Sequence, residues 1–231
     1  MDSKNLLIKY MVESFEQEHV QKPQKKEGGP FITISREHGC MGNTFAIMLR
    51  DELAKMGYSW RIMNKEIIQE SAKELNMDPH KVMNISQTDR TQVDEVLHSL
   101  STRYYKSDKK IMKTISSVVL AAANEGNTII VGRGGVVTTN GMQPSIHLKL
   151  YAPVEWRLHS LMERYHAARE HMLSEITTID HKRHKLTRDA MKGYENVDDY
   201  YDLQINCSTI NPKHMVAMII KLMEERNMLV K

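Results

Sequence analysis

The stretch Phe31-Ile-Thr-Ile-Ser-Arg-Glu-His-Gly-Cys-Met-Gly-Asn-Thr-Phe45 constrains this chain more than any other, because it runs an apolar strand through a glycine-bearing turn straight into an amphipathic helix. Phe31, Ile32 and Ile34 make a short run of strand formers. Gly39 and Gly42 let the backbone curl close to a ligand, and Thr44 is placed to cap the helix that follows. Phe45, Met48, Leu49, Leu53 and Met56 then recur at helical spacing until Gly57 closes the segment. Amides at the start of such a helix point back into the turn and attract anions, so the segment has the build of a phosphate cradle.

A complete Walker A loop reads G-x-x-x-x-G-K-S/T, in which the lysine reaches the outer phosphates and the hydroxyl residue holds magnesium. Here Gly42-Asn43-Thr44 stands in the place of G-K-T, and Glu37 where the first glycine would be. Asn43 can donate a hydrogen bond but brings no charge. An ordinary strand-turn-helix corner has the same local pattern, so other segments must decide between the two.

At 231 residues, 41% hydrophobic and 26% charged, the chain has the make-up of one globular domain with room for a small mobile subdomain. A net charge of +3 argues for no nucleic-acid partner, since the densest basic clusters, Lys22 to Lys26 and Lys182 to Arg188, are short. No apolar run approaches a spanning helix, and the opening Met1-Asp-Ser-Lys lacks the basic-then-apolar order of a signal peptide, so no membrane attachment is expected. Two cysteines, Cys40 and Cys207, suit a reducing compartment and a cytoplasmic protein. Cys40 lies near a helix start, an environment able to lower a thiol pKa, although a small loop residue is its simpler role. Among eleven histidines, His166 with His171 and His181 with His184 find no carboxylate or cysteine set that completes a metal site. The 17 methionines fall mostly at core spacing. Gly132-x-Gly134 lacks the rest of a dinucleotide fingerprint.

Residues 1–29 read as an appended arm, helical from Asn5 to Phe15, followed by a Lys-rich Gly-Gly-Pro linker. The arm packs either on the domain or on a second copy of the chain. From residue 30 to 231, apolar strands and amphipathic helices alternate. Strands are predicted over 58–63, 128–131, 146–150 and 203–207. Helices are predicted over 65–75, 108–124, 153–165 and from Asn211-Pro212 to about Arg226, with 82–100 mixed. This order implies an α/β domain with a parallel sheet and helices on both faces. Ligands in such sheets sit at the carboxyl ends of the strands, where the 35–44 loop and Arg133 both fall.

Ile34-Ser35-Arg36 with Gly39 and Gly42, Ile130-Val131-Gly132-Arg133, Ala152-Pro-Val-Glu-Trp-Arg157, Met162-Glu-Arg-Tyr165, Asp180-His-Lys-Arg183 and Tyr201-Asp-Leu-Gln-Ile-Asn206 follow one another in an order that resembles the cytidylate kinase-like family of P-loop kinases. The resemblance implies a parallel-sheet, three-layer P-loop kinase sandwich. It also implies a monophosphate-binding region between about Asn64 and Lys110 and a helical lid near 165–195. ATP and magnesium are the implied cofactors and nucleotides the substrates. Gly39, Cys40, Met41, Gly42, Asn43 and Thr44 would wrap the phosphates of ATP, with Thr44 meeting magnesium. Arg133 would hold the acceptor phosphate, with Lys65, Arg157 and Arg164 as further substrate contacts, while Arg183 and Arg188 would close over the transferring group. Arg36 is positioned to replace the missing lysine charge. Each arginine has a plainer alternative as a capping, surface or salt-bridge residue. The family's Asp-Lys pair after the second strand is Asn64-Lys65 here, so a carboxylate able to orient the acceptor is absent from that position. The expected activity is phosphorylation of CMP or a related pyrimidine monophosphate; the alternatives are a catalytically degenerate phosphate binder and a kinase for another small acceptor.

Overall fold

The computed structural model describes residues 28–64, 115–191 and 196–229. The expected arm, the expected monophosphate-binding region from residue 65 onward, and Lys65 itself lie outside the described residues. Five parallel strands form one sheet in the order β2-β3-β1-β4-β5: β1 Phe31–Arg36, β2 Arg61–Met63, β3 Thr128–Val131, β4 Ser145–Tyr151 and β5 Leu203–Asn206. β1 is central, with Ile34 opposite Val131 on one side and Leu148 on the other. The helices are α1 Gly42–Lys55, α2 over residues 115–125, the short α3 Gly135–Thr138, α4 Val154–Tyr165, α5 Arg169–Ala190 and α6 Pro212–Glu225. Among the described residues, no helix is long and apolar enough to cross a membrane.

Strand alternation gives the sheet two different faces. Ile32 and Ile34 of β1, Ile129 and Val131 of β3, and Ile146, Leu148 and Leu150 of β4 join Phe45, Leu49 and Leu53 of α1 and Val216, Ile219 and Met223 of α6 in one core. The opposite face begins apolar at Phe31 and turns polar toward the strand ends. There Thr33 meets His147 at 2.7 Å, while Ser35 and Lys149 border a cleft. A sheet with one sealed face and one polar end presents its ligand surface on the second.

Elements depart from their sequence-predicted bounds for local reasons. The 58–63 strand shortens to Arg61–Met63 because the Tyr58 N–H is used to close α1 on Leu53 O at 2.9 Å. Pro153 precedes α4 as its cap rather than opening its first turn, whereas Pro212 does open α6 behind Asn211, whose side chain accepts from the Lys213 N–H. Ile115, Val118, Val119 and Ala122 are buried along α2 as the helical spacing predicts. The expected lid contains one long helix, α5.

Candidate active site

Beyond Arg36 the chain leaves the sheet through a loop tied to β4. The Glu37 N–H donates to Leu150 O at 3.0 Å, and its carboxylate accepts from the Ala152 N–H at 3.2 Å. A side chain in place of the Walker glycine therefore serves as the loop's anchor. The turn reverses at Gly39, φ 95°, where a Cβ would stand only 2.9 Å from Arg157 Cβ. Met41, φ 48°, precedes α1 without a side-chain capping bond, and the helix begins at Gly42. Thr44 is thus not the expected cap but the third residue of the helix, because the left-handed turn at Met41 starts α1 earlier. The amides of Gly42, Asn43 and Thr44 precede the bond from Phe45 N–H to Met41 O, so they face the turn as an anion cradle does. The side chains of Asn43 and Thr44 are exposed there. Cys40 departs from the expected helix-start thiol. It is buried, its thiol is hydrogen-bonded with Cys207, and that bond together with burial pushes its pKa up rather than down.

Arg36 crosses from this loop to the end of β3. Its Cγ would meet a Cβ on Gly42 at 3.0 Å, and its guanidinium occupies the space a Cβ on Gly132 would need. Gly132, Arg133 and Gly134 all take positive φ, at 76°, 57° and 65°. For a residue with a Cβ such as Arg133 this conformation costs roughly 1–2 kcal/mol, a strain that proteins retain mainly where it aims a side chain at a site. Hydrogen bonds from Gly132 N–H to Ile34 O (2.9 Å) and Gly135 N–H to Gly132 O (3.0 Å) hold the turn.

Helix α5 lies beside both loops. Arg183 donates to Arg36 O at 3.0 Å, and burial pushes its guanidinium pKa down, opposed by Asp180. Asp180 accepts the His38 N–H at 2.7 Å, and the His38 ring stands 3.2 Å from Glu175. The far wall is Lys149, paired with Asp198 at 2.6 Å and lying 5.7 Å from the Tyr201 ring centre. Between these walls is a cleft of about 280 Å³.

Arg36, Arg133, Arg183 and Arg188, contributed by β1, the β3 turn and α5, all line it. Glu37 and Asp180 line it too, but the Glu37 carboxylate is engaged by the Ala152 N–H and Arg157, and that of Asp180 by the His38 N–H and Arg157. Arg157 stands elsewhere: at 4% exposure it lies beneath the loop, donating to Ala152 O (2.9 Å), His38 O (3.0 Å) and Asp180. Arg164 is exposed in the last turn of α4, so the two do not share a cleft-facing role among the described residues. Sequence reasoning assigned no part to Asp180 or Glu37. The signal that would have found Asp180 is its i,i+3 spacing from Arg183 on the expected lid helix.

A five-stranded parallel sheet in this order, with a glycine-bearing loop between the central strand and its helix, defines a P-loop kinase type of α/β protein. Within that class the chain belongs to the cytidylate kinase-like family, whose model matches residues 31–209. The fold is shared with an uncharacterized protein from Eubacterium ventriosum ATCC 27560, at a TM-score of 0.62 and 18% identity, covering 85% of this chain and 99% of that one. Shikimate kinase from Bacteroides thetaiotaomicron aligns at a TM-score of 0.44 and 9% identity, over 84% of this chain and 98% of that one. No curated protein matches the chain.

Proposed function

We propose that this protein is an ATP- and magnesium-dependent phosphotransferase of the nucleoside monophosphate kinase type, acting on CMP or a related pyrimidine monophosphate. The observation that carries the proposal is the convergence of Arg36, Arg133, Arg183 and Arg188 on one cleft beside the glycine-bearing loop. Phosphoryl transfer requires positioning and neutralisation of charge over the moving group, and arginine supplies a permanent, planar charge for phosphate oxygens.

The residues present fit the implied cofactors. The Gly39 turn admits no side chain, and the first-turn amides of α1 suit phosphate oxygens. Thr44 offers an exposed hydroxyl at the helix start, and magnesium in such sites is held largely by phosphates and water with few protein ligands. Magnesium, held with the help of Thr44, would supply charge neutralisation at the donor phosphates. In the proposed reaction, the first-turn amides hold the donor phosphates and Arg133 holds the acceptor phosphate. Arg36 lies between them, and Arg183 and Arg188 exclude water from above. Asn43, uncharged where a Walker lysine would stand, supports a second reading in which the protein binds nucleotide without transferring its phosphate.

The two readings separate in a coupled assay for ADP formation with ATP and magnesium over CMP, dCMP, UMP, AMP and GMP. Turnover on one of them supports the kinase. Silence across the panel, with ATP binding demonstrated by titration, supports the binder.

A further inference from the structure

The peptide unit around His38, in the middle of the phosphate loop, is gripped at both its polar groups. Its N–H donates to one oxygen of Asp180 at 2.7 Å, its C=O accepts from Arg157 at 3.0 Å, and Arg157 closes the ring by donating to the other Asp180 oxygen at 2.5 Å. Three segments meet in this ring: the loop, the first turn of α4 and the middle of α5. Arg157 is fixed independently by Ala152 O and by Glu37, so the ring's foundation is the α4 end and its movable member is α5. Asp180, Arg183, His184 and Thr187 follow at helical spacing on one side of α5, and Arg188 completes that cleft-lining side.

We propose that Asp180 is a positioning residue that straps the lid helix to the phosphate loop and thereby sets where Arg183 and Arg188 stand over the transferring group. Its catalytic consequence rests on the kinase reading above, while the strap itself does not. The Asp180 carboxylate takes up a loop amide and stands one helical turn from an arginine that donates to Arg36 O, at the end of β1 from which the loop departs. The strap makes lid position and loop conformation one variable, so that the loop shape that receives phosphates is also the one that brings the arginines in.

The test uses the full chain, with Asp180→Ala, Asp180→Asn, Arg183→Ala and the Asp180→Ala/Arg183→Ala double variant. The Asn variant keeps the shape and an acceptor for the His38 N–H, so it reports even where Ala fails to fold. Hydrogen exchange measured without nucleotide reads the strap directly. In Asp180→Ala the peptide bearing the His38 amide exchanges about tenfold faster, the factor expected from one hydrogen bond of ordinary net strength, while α6 is unchanged. Asp180→Asn falls between this variant and wild type. With an active acceptor, kcat falls about 10²-fold in Asp180→Ala while the acceptor KM stays within about twofold. Arg183→Ala then adds little further loss in the Asp180→Ala background, because the strap already governs the position of Arg183. Unchanged exchange at His38 in both Asp180 variants overturns the strap. Full additivity of the two substitutions overturns its action through Arg183. If wild type transfers no phosphate, the kinase reading fails and the exchange result alone decides the strap.

Discussion

Alanine at Gly132 should separate fold from function in this protein, with alanine at Gly57 as its control. Both glycines have φ in the left-handed region, 76° and 86°, so each substitution costs about 1–2 kcal/mol in backbone strain. For a chain of this size, that is a fall in melting temperature of about 2–8 °C. Their surroundings differ. A Cβ at Gly57 meets nothing within 4 Å, whereas one at Gly132 collides with the Arg36 guanidinium and stands 3.1 Å from its Cζ. The far end of a flexible side chain moves away cheaply, so the collision adds little to the stability loss. It does displace the guanidinium by about 1 Å, and misplacement on that scale at a reacting centre costs about a hundredfold in rate. Melting curves and steady-state ADP release on the same preparations give the comparison: similar melting shifts, with turnover lost in Gly132→Ala only. Equal turnover in the two variants would refute the placement of Arg36 at the transferring group.

Three further predictions concern the scaffold. Leu148→Ala, at a fully buried position of β4 against β1, should cost about 3 kcal/mol, read by urea unfolding. His147 is buried and its pKa is held below its ordinary 6.5, chiefly by burial, so the unfolded chain takes up a proton that the folded chain refuses. Stability should therefore fall as pH drops from 6.5 toward the lowered folded value, with His38 adding to the same slope. Unfolding free energies at about pH 7.5 and about pH 5.5 should converge in His147→Gln relative to wild type. Cys40, its pKa raised by the bond with Cys207 and by burial, should resist alkylation in the folded protein and react in denaturant; fast labelling of Cys40 under native conditions would contradict its placement.

The sheet was legible because its strands and helices alternate with their own periodicities, and because Gly39 and the Gly132-Arg133-Gly134 turn punctuate two of the strands. The gathering of Arg133 with Arg36 followed from the rule that ligands collect at strand carboxyl ends. What sequence did not reveal depends on contacts between distant segments. The helix start shifts from Thr44 to Gly42 because Met41 adopts a left-handed conformation, which a methionine rarely takes and whose cause lies in the folded loop. Arg157 reads as a substrate contact or a surface residue until Asp180, 23 residues on, and the His38 carbonyl, 119 residues back, are brought to it. Cys40 and Cys207 lie at opposite ends of the domain sequence, and only the adjacency of the loop to the end of β5 reverses the pKa direction expected at a helix start.

The most direct test of the central claim compares wild type with Arg133→Ala in ADP release against CMP, with ATP binding titrated separately. Wild type is expected to phosphorylate a nucleoside monophosphate and the variant to lose about 10²–10³-fold of that turnover, while its affinity for ATP changes by no more than about twofold. Turnover that survives in Arg133→Ala would contradict the claim, as would a wild-type protein that binds ATP and phosphorylates no monophosphate.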